Sequence, residues 1–335
     1  MTTLPGDAST LNDFGEENTP EPGTVAAKAI EGRSLTRIGW TRLKRDKVAM
    51  GAGIVVLVLV VIAILAPLLA SAAGAGDPRA QYMDYINPDT SMPLGSFGGI
   101  NSHHLLGVEP VNGRDVLSRV LFGSRISLLI ATAASLVSLL IGIAAGVVAG
   151  YFGGWVDAVI SRIMDVFLAF PLLLFALALA AIVPDTFFGM TGDALRIAML
   201  VFIIGFFGWP YAGRIVRGQT IALREREFVD AARVLGAKPR RIILRELMPN
   251  LVAPILVYGT LLIPANILFE AALSFLGVGI RPPTPSWGKM LNDAIQYYRV
   301  DPEYLIVPGA AIFVTVLAFN LFGDGLRDAF DPKAH

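Results

Sequence analysis

EFVDAARVLGAKPRRIILRELMPN, residues 227–250, is a charged island between two strongly apolar stretches. Good helix formers run from Arg224 to Leu235 and are broken by Gly236, which costs a helix about 1 kcal/mol and suits a positive-φ cap. Pro239 fits the first turn of a following helix, where its missing N–H is no loss. That second helix is expected to run to Met248 and stop near Pro249. The stretch therefore reads as helix–Gly–helix, with its basic and acidic side chains facing water.

Working outward, the apolar flanks decide the class. The 335 residues are 54% hydrophobic and 16% charged, with mean hydropathy +0.63, whereas soluble domains carry about a quarter charged residues. Several runs reach the ~20 apolar residues needed to span a bilayer. The chain reads as an all-α integral membrane protein with six transmembrane helices. There is no cysteine, hence no disulfide framework, thiolate metal site or Cys nucleophile. No secretory signal peptide is visible, because the start is polar and acidic.

The spans are placed at 48–73, 126–150, 159–183, 197–213, 251–278 and 305–322. Basic residues between Arg33 and Lys47 precede the first one, so the N-terminus is placed inside. The loop at 74–123 then falls outside, with three basic and five acidic residues. The segment 214–249 falls inside, with nine basic and four acidic. Both termini are expected to be cytoplasmic.

Residues 1–32 read as a disordered acidic cytoplasmic tail. Residues 33–47 read as a basic amphipathic segment, for which two readings stay open: a helix lying on the membrane with Trp40 at headgroup level, or an ordinary positive flank. The membrane body is 48–323, with the inner charged loop at 218–249 and a C-terminal tail at 324–335. Gly142, Gly146 and Gly150 recur every four residues and predict close approach of another helix. Arg162 and Asp165 are spaced to pair on one helix face, and Pro171 should kink the third span.

By this point the residues resemble a family. Asp230-Ala231-Ala232, then Gly236, then Glu246-Leu247-Met248-Pro249 is similar to the EAA loop of bacterial ABC-importer permeases, with Asp where the family usually has Glu. NGRDVLSR at 112–119 followed by GSRISL at 123–128 looks like the block entering the second span. GYFGGWVD at 150–157 looks like the inner turn. LSFLG at 273–277, then PPTPSWG at 282–288, looks like the end of the fifth span and its loop. NLFGDGLRD at 320–328 looks like the C-terminal signature. The likeness runs over 34–332 and points to the dipeptide/oligopeptide/nickel branch. Two departures stand out: Gly107-Val108-Glu109-Pro110-Val111-Asn112 replaces a Gly-Thr-Asp-like step, and the first outer loop is long.

The resemblance implies a type I ABC importer transmembrane domain in the bacterial cytoplasmic membrane, with a cytoplasmic EAA coupling loop. Its implied partners are a homologous second permease, two ABC ATPase subunits and an extracytoplasmic peptide-binding protein, besides membrane lipid; no nucleic-acid partner is expected. The substrate class implied is di- or oligopeptides, with nickel chelates or other small solutes as the alternative. There is no G-x-x-x-x-G-K-[S/T] phosphate loop: Gly288-Lys289 comes nearest, but 283 is Pro and 290 is Met. No cofactor is therefore expected in this chain, ATP and Mg belonging to the ATPase partners, and the chain is expected not to be an enzyme. An intramembrane enzyme would need a constellation such as H-E-x-x-H or G-x-S-x-G, and a secondary transporter more spans and an internal repeat.

Within the loop, the expected coupling residues are Glu227, Asp230, Ala231, Ala232, Arg233, Gly236 and Pro249. Asp230 takes a charged contact or caps the short helix, Ala231 and Ala232 give a small packing face, and Gly236 makes the turn. Arg233, with Arg240 and Arg241, faces acidic ATPase residues, water or headgroups. Glu270 is an ionisable residue inside a span and so a functional candidate, either lining the translocation path or making a structural hydrogen bond to a neighbouring helix. Arg125, near a helix end, is expected to snorkel. His103-His104 is either a weak metal hint or a polar loop pair.

Overall fold

A computed structural model describes residues 35–330 apart from Ser96 and Asp185. The expected acidic tail at 1–32 and the last residues, 331–335, lie outside the described residues. Eleven helices follow in order: α1 (Leu35–Leu43), α2 (Lys47–Ala72), α3 (Val116–Phe152), α4 (Gly154–Ala169), α5 (Leu172–Ile182), α6 (Gly192–Arg224), α7 (Glu227–Val234), α8 (Pro239–Arg241), α9 (Met248–Phe275), α10 (Trp287–Ala294) and α11 (Pro302–Phe330). A small antiparallel hairpin, β1 (Thr186–Phe187) and β2 (Met190–Thr191), pairs Thr186 with Thr191 just before α6. Among the described residues, five helical stretches are long and apolar enough to cross a membrane, and six if the bent pair α4–α5 counts as one span.

The spans are longer than hydropathy suggests. The second begins at Val116, ten residues before its apolar core, so the loop expected at 74–123 ends at Asp115. Asp115 caps α3 by accepting the Ser118 N–H at 2.7 Å. Arg119 and Arg125 sit in that extension and hide it from a hydropathy window. The fourth span extends to Arg224, and the sixth runs to Phe330, through most of the expected tail. Asp46 starts α2 by accepting the Val48 and Ala49 N–H groups.

The glycine ladder is the axis of the bundle. A Cβ on Gly142 would lie 2.8 Å from the Gly213 nitrogen, one on Gly146 2.6 Å from the Gly213 oxygen, and one on Gly150 2.9 Å from the Arg217 oxygen. Positions rise together along both helices, so α3 and α6 run parallel with backbones in contact. From the other side, Gly205 meets the Ala134 oxygen. Apolar clusters fill the space on either flank. Ile130, Ala134, Met199, Leu200, Ile203 and Leu273 join α3, α6 and α9, while Ala63, Ala131, Ile267, Ile312 and Phe319 bring in α2 and α11.

The third span is broken rather than kinked. α4 and α5 meet at 75° across Phe170 and Pro171. Pro171 lacks the N–H that would continue α4, and the residue before it is pushed to extended geometry (φ −73°, ψ 128°). The Arg162–Asp165 pair expected within α4 does not form as a contact. Asp165 instead meets Arg214 of α6 at 2.5 Å, and Asp157 meets Arg217. Partners three apart on α6 compete with a partner three apart on α4, and the cross-helix pairs win where the glycine ladder brings α6 close.

Candidate functional site

The loop residues singled out in the sequence sit on α7 and its cap. The expected continuous helix from Arg224 is two: α6 ends at Arg224, and a turn at Glu225 and Arg226 separates it from α7. Val229 is fully buried and plugs α7 into an apolar cluster with Val147, Val216, Ile242, Leu247 and Leu251, against which Ala232 and Ala237 also pack. Sequence reasoning missed this foot. Its signal was the one small apolar residue flanked by Glu227-Phe228 and Asp230 at the start of an amphipathic turn.

The other face is open. Glu227, Asp230, Ala231 and Arg233 are exposed, and Arg233 donates to Asp230 Oδ1 at 2.8 Å one turn away. Ala231 and Ala232 are thus divided, one outward and one inward. Acids in the first turn and Arg233 in the last complement the helix dipole. At the tip, Val234 and Leu235 are 88% and 86% exposed, two large aliphatic side chains standing in solvent. Gly236 turns the chain at φ +78°. The Ala237 N–H reaches the Ala232 oxygen and the Gly236 N–H reaches the Arg233 oxygen, which together form a Schellman cap.

Pro249 does not end the second arm. From Pro239 to Phe275 the chain is one helical run, widened over Ile242–Leu247 by i→i−5 bonds such as Met248 N–H to Ile243 O. The wide turn takes up the extra residue just before the proline ring, which would otherwise collide with the preceding turn. Pro249 itself is exposed, and the Asn250 side chain donates to the Glu246 oxygen at 2.7 Å. The loop is therefore coupled to α9 without a flexible joint. On the α6 side, Arg224 donates to the Gly150 and Tyr151 oxygens at 3.2 Å, tying the loop to the end of α3.

Glu270 lies far from this loop. It is fully buried between α3 and α9, where Ser127 donates to one carboxylate oxygen at 2.9 Å and Ser274 to the other at 2.7 Å. The Trp287 N–H reaches Ser127 Oγ at 3.3 Å, and Gly288 lies against the backbone of Ala271. Within this chain, Glu270 holds two helices and the start of α10 together. Asn266 repeats the motif one turn away, donating to Ser135 Oγ at 2.8 Å.

Beyond Glu270, the long loop folds onto the heads of α3, α10 and α11. Glu109 contacts Arg119 at 3.0 Å and Arg114 at 3.4 Å and accepts from the Tyr304 hydroxyl at 3.0 Å. Burial pushes the Glu109 carboxyl up, opposed by Arg119 and then Arg114. Glu109 belongs to the step that departs from the resembled pattern, and nothing in its local sequence marks it as buried. Arg119 also donates to the Pro283 oxygen at 3.1 Å. His104 Nδ1 lies 2.8 Å from Asp115 and packs edge-on to Tyr82 and Tyr85, while His103 is exposed. Among the described residues no group of three His, Asp or Glu is placed to hold a metal ion.

With that geometry established, similarities to known proteins are informative. The family described as "binding-protein-dependent transport system inner membrane component" matches residues 142–335. The "N-terminal TM domain of oligopeptide transport permease C" matches residues 34–89. A dipeptide transport system permease protein of Alkalihalophilus pseudofirmus is 39% identical over 94% of this chain and 96% of its own length. A glutathione transport system permease protein of Pectobacterium atrosepticum is 41% identical over 90% and 92%. An oligopeptide transport system permease protein of Escherichia coli is 40% identical over 91% and 93%. Among solved structures, a chain of the inward-facing MetNI methionine ABC transporter superposes with a TM-score of 0.50 at 17% identity, over 63% of this chain and 96% of that one. That last likeness concerns the fold alone.

Proposed function

The chain belongs to the family of binding-protein-dependent transport system inner membrane components, and from this we propose that it is the permease subunit of an ATP-driven importer carrying di- or oligopeptides across the cytoplasmic membrane. The peptide reading is supported by the relatives, named for dipeptide, glutathione and oligopeptide transport. Its working partners are two ABC ATPase subunits, a homologous second permease and an extracytoplasmic peptide-binding protein. ATP and Mg bind and react on the ATPases. The charge asymmetry of the loops supports placing both termini and α7 in the cytoplasm.

The observation that carries the mechanism is the pairing of a buried foot with an exposed tip on α7. Val229 fixes the helix to α3, α6 and α9, while Val234, Leu235, Asp230 and Arg233 project outward. A socket on an ATPase that closes on ATP binding would grip the tip, and the uninterrupted arm into α9 would carry the motion to the spans. Swinging a gate from 1:99 to 99:1 requires about 5.5 kcal/mol of differential binding, and a loop that slipped on its own bundle could not transmit it.

Asp230→Lys tests the assignment. In vesicles containing the whole importer, ATP-driven peptide uptake should be lost while the purified complex keeps its unfolding midpoint. Unaltered uptake, or uptake driven by ion gradients without ATP, would overturn it. Reporter fusions at Asp89 and Lys238 should report opposite sides of the membrane.

A further inference from the structure

A cavity of about 930 Å³ opens between α2 and α3 at the end of the bundle away from α7. Its wall is apolar, with Val60 and Ile64 on one side and Phe122 and Leu129 on the other, and its rim carries Arg79, Arg125, Asp77 and Asp193. Ile64 and Leu129 are 66% and 53% exposed, so the wall opens sideways to the lipid. At 1.5 Å per residue, Ile64 lies about 26 Å along α2 from Lys47, close to the far edge of a hydrocarbon core about 30 Å thick. Val60, Ile64 and Leu129 therefore stand among acyl chains, with Arg125 one turn outward of Leu129 along α3 and with Asp77 and Arg79, beyond the end of α2, at headgroup level.

The rim charges are not equivalent. Arg79 contacts Asp193 at 3.5 Å and donates to Thr284 Oγ1 at 3.1 Å, and Thr284 in turn donates to Asp193 at 2.6 Å. Asp77 accepts the Arg79 N–H at 2.8 Å. Arg125 makes no hydrogen bond or ion pair with any described residue. A guanidinium at the hydrocarbon boundary facing an apolar wall is expensive to leave without an anion, and its fork suits the oxygens of a phosphate.

We propose that this cleft is a binding site for a membrane phospholipid, its phosphate on Arg125 and an acyl chain along Val60, Ile64 and Leu129. The occupant is matched in polarity along the membrane normal: charge above, hydrocarbon below, and an open side through which a lipid enters from the bilayer. The site stands on the geometry of this chain and does not depend on which substrate is transported.

The test uses the full chain, alone and with its partner subunits, in vesicles of phosphatidylethanolamine and phosphatidylglycerol containing a trace of phosphatidylglycerol with a photoactivatable acyl chain. Cross-links should concentrate on the α2 and α3 segments around Ile64 and Leu129. Arg125→Gln should lower them roughly fivefold, the loss expected for one basic side chain at a membrane phosphate, and Arg125→Lys should retain most of them. Equal labelling at Leu57 and Leu140, elsewhere on the lipid-facing surface, or no effect of Arg125→Gln, would overturn the site. So would loss of the cross-links when the partner subunits are added, which would make the cleft a protein interface. Should Arg125→Gln fail to fold, competition on the unaltered chain decides. Unlabelled phosphatidylglycerol should displace the probe, and equal displacement by diacylglycerol, which lacks the phosphate, would refute the proposal.

Discussion

The two ends of the bundle handle charge in opposite ways. Away from α7, Arg125 at the cleft apart, three carboxylates are buried with partners inside the chain: Glu270 between two serines, Glu109 between two arginines and Tyr304, Asp115 between a helix N-terminus and His104. At the α7 end, charge is exposed. Asp230 meets only Arg233 of its own turn, and the aliphatic tip is bare. A buried polar group must be satisfied inside the chain, because leaving it unpaired costs a desolvation penalty. An exposed one can wait for a partner. The first end holds its shape through contacts within the chain, and the second keeps a charged and aliphatic surface free, as the docking role proposed above requires.

That contrast can be broken most severely at the axis joining the two ends. Gly146→Leu places a Cβ 2.6 Å from a backbone oxygen of α6, which cannot swing aside. Destabilisation of about 3 kcal/mol, at the upper end of overpacking costs, should appear as a lowered unfolding midpoint in detergent and loss of both ends together. Next comes the closed end. Glu270→Ala removes the acceptor of two buried hydroxyls and should cost about 2–3 kcal/mol, whereas Glu270→Gln keeps the volume and most of the bonding and should stay within about 1 kcal/mol. Thermal unfolding of the two variants separates a structural lock from a charge needed for transport: if Gln unfolds normally but stops uptake, the charge itself matters.

At the open end the effects on stability should be smaller and those on transport larger. Gly236→Val has open space around its Cβ, yet φ +78° is strained for a β-branched residue. About 1–2 kcal/mol of strain confined to one cap should leave the unfolding midpoint nearly unchanged and reduce ATP-coupled uptake severalfold. The closed end also carries a pH dependence. Burial, reinforced by the neighbouring Glu303 carboxylate, pushes Asp301 up to about 7. The folded chain then holds a proton that the unfolded chain gives up near pH 4. This contribution to stability is full at low pH and is lost as pH rises through about 7. Unfolding midpoints measured at pH 5 and pH 8 should differ in that sense, and Asp301→Asn should flatten the difference.

How much of this was legible beforehand divides along the same line. The glycine ladder and the cap at Gly236 are written locally, in spacing and backbone preference, and are legible in the sequence; at Pro171 the sequence predicts a kink, and the structure has a 75° break. Partnerships across the chain are not local. Asp165 had Arg162 at helical spacing, yet it pairs with Arg214, because only the packed α3–α6–α4 geometry places that residue nearer. Glu109 looked like a departure in a loop and proves to be buried against Arg119, ten residues on. The length of α3 was hidden because Arg119 and Arg125 lower its hydropathy, although Asp115 and Ser118 had the spacing of a cap. In the α7 loop the sequence points to the exposed residues but not to Val229, whose role depends on residues from other helices.

The wide turn at Ile242–Leu247 has a consequence for rotational phase. Successive residues of a regular helix are separated by about 100° around its axis, so one extra residue in a turn sets everything beyond it on a different azimuth. The face that the arm at Pro239 turns outward is therefore indexed separately from the face that α9 shows to the bundle. Removing one residue between 242 and 247 would close the wide turn to a regular one and leave the register of α9 untouched. The α7 tip would then point in another compass direction, and a socket fitted to its present heading would no longer meet it.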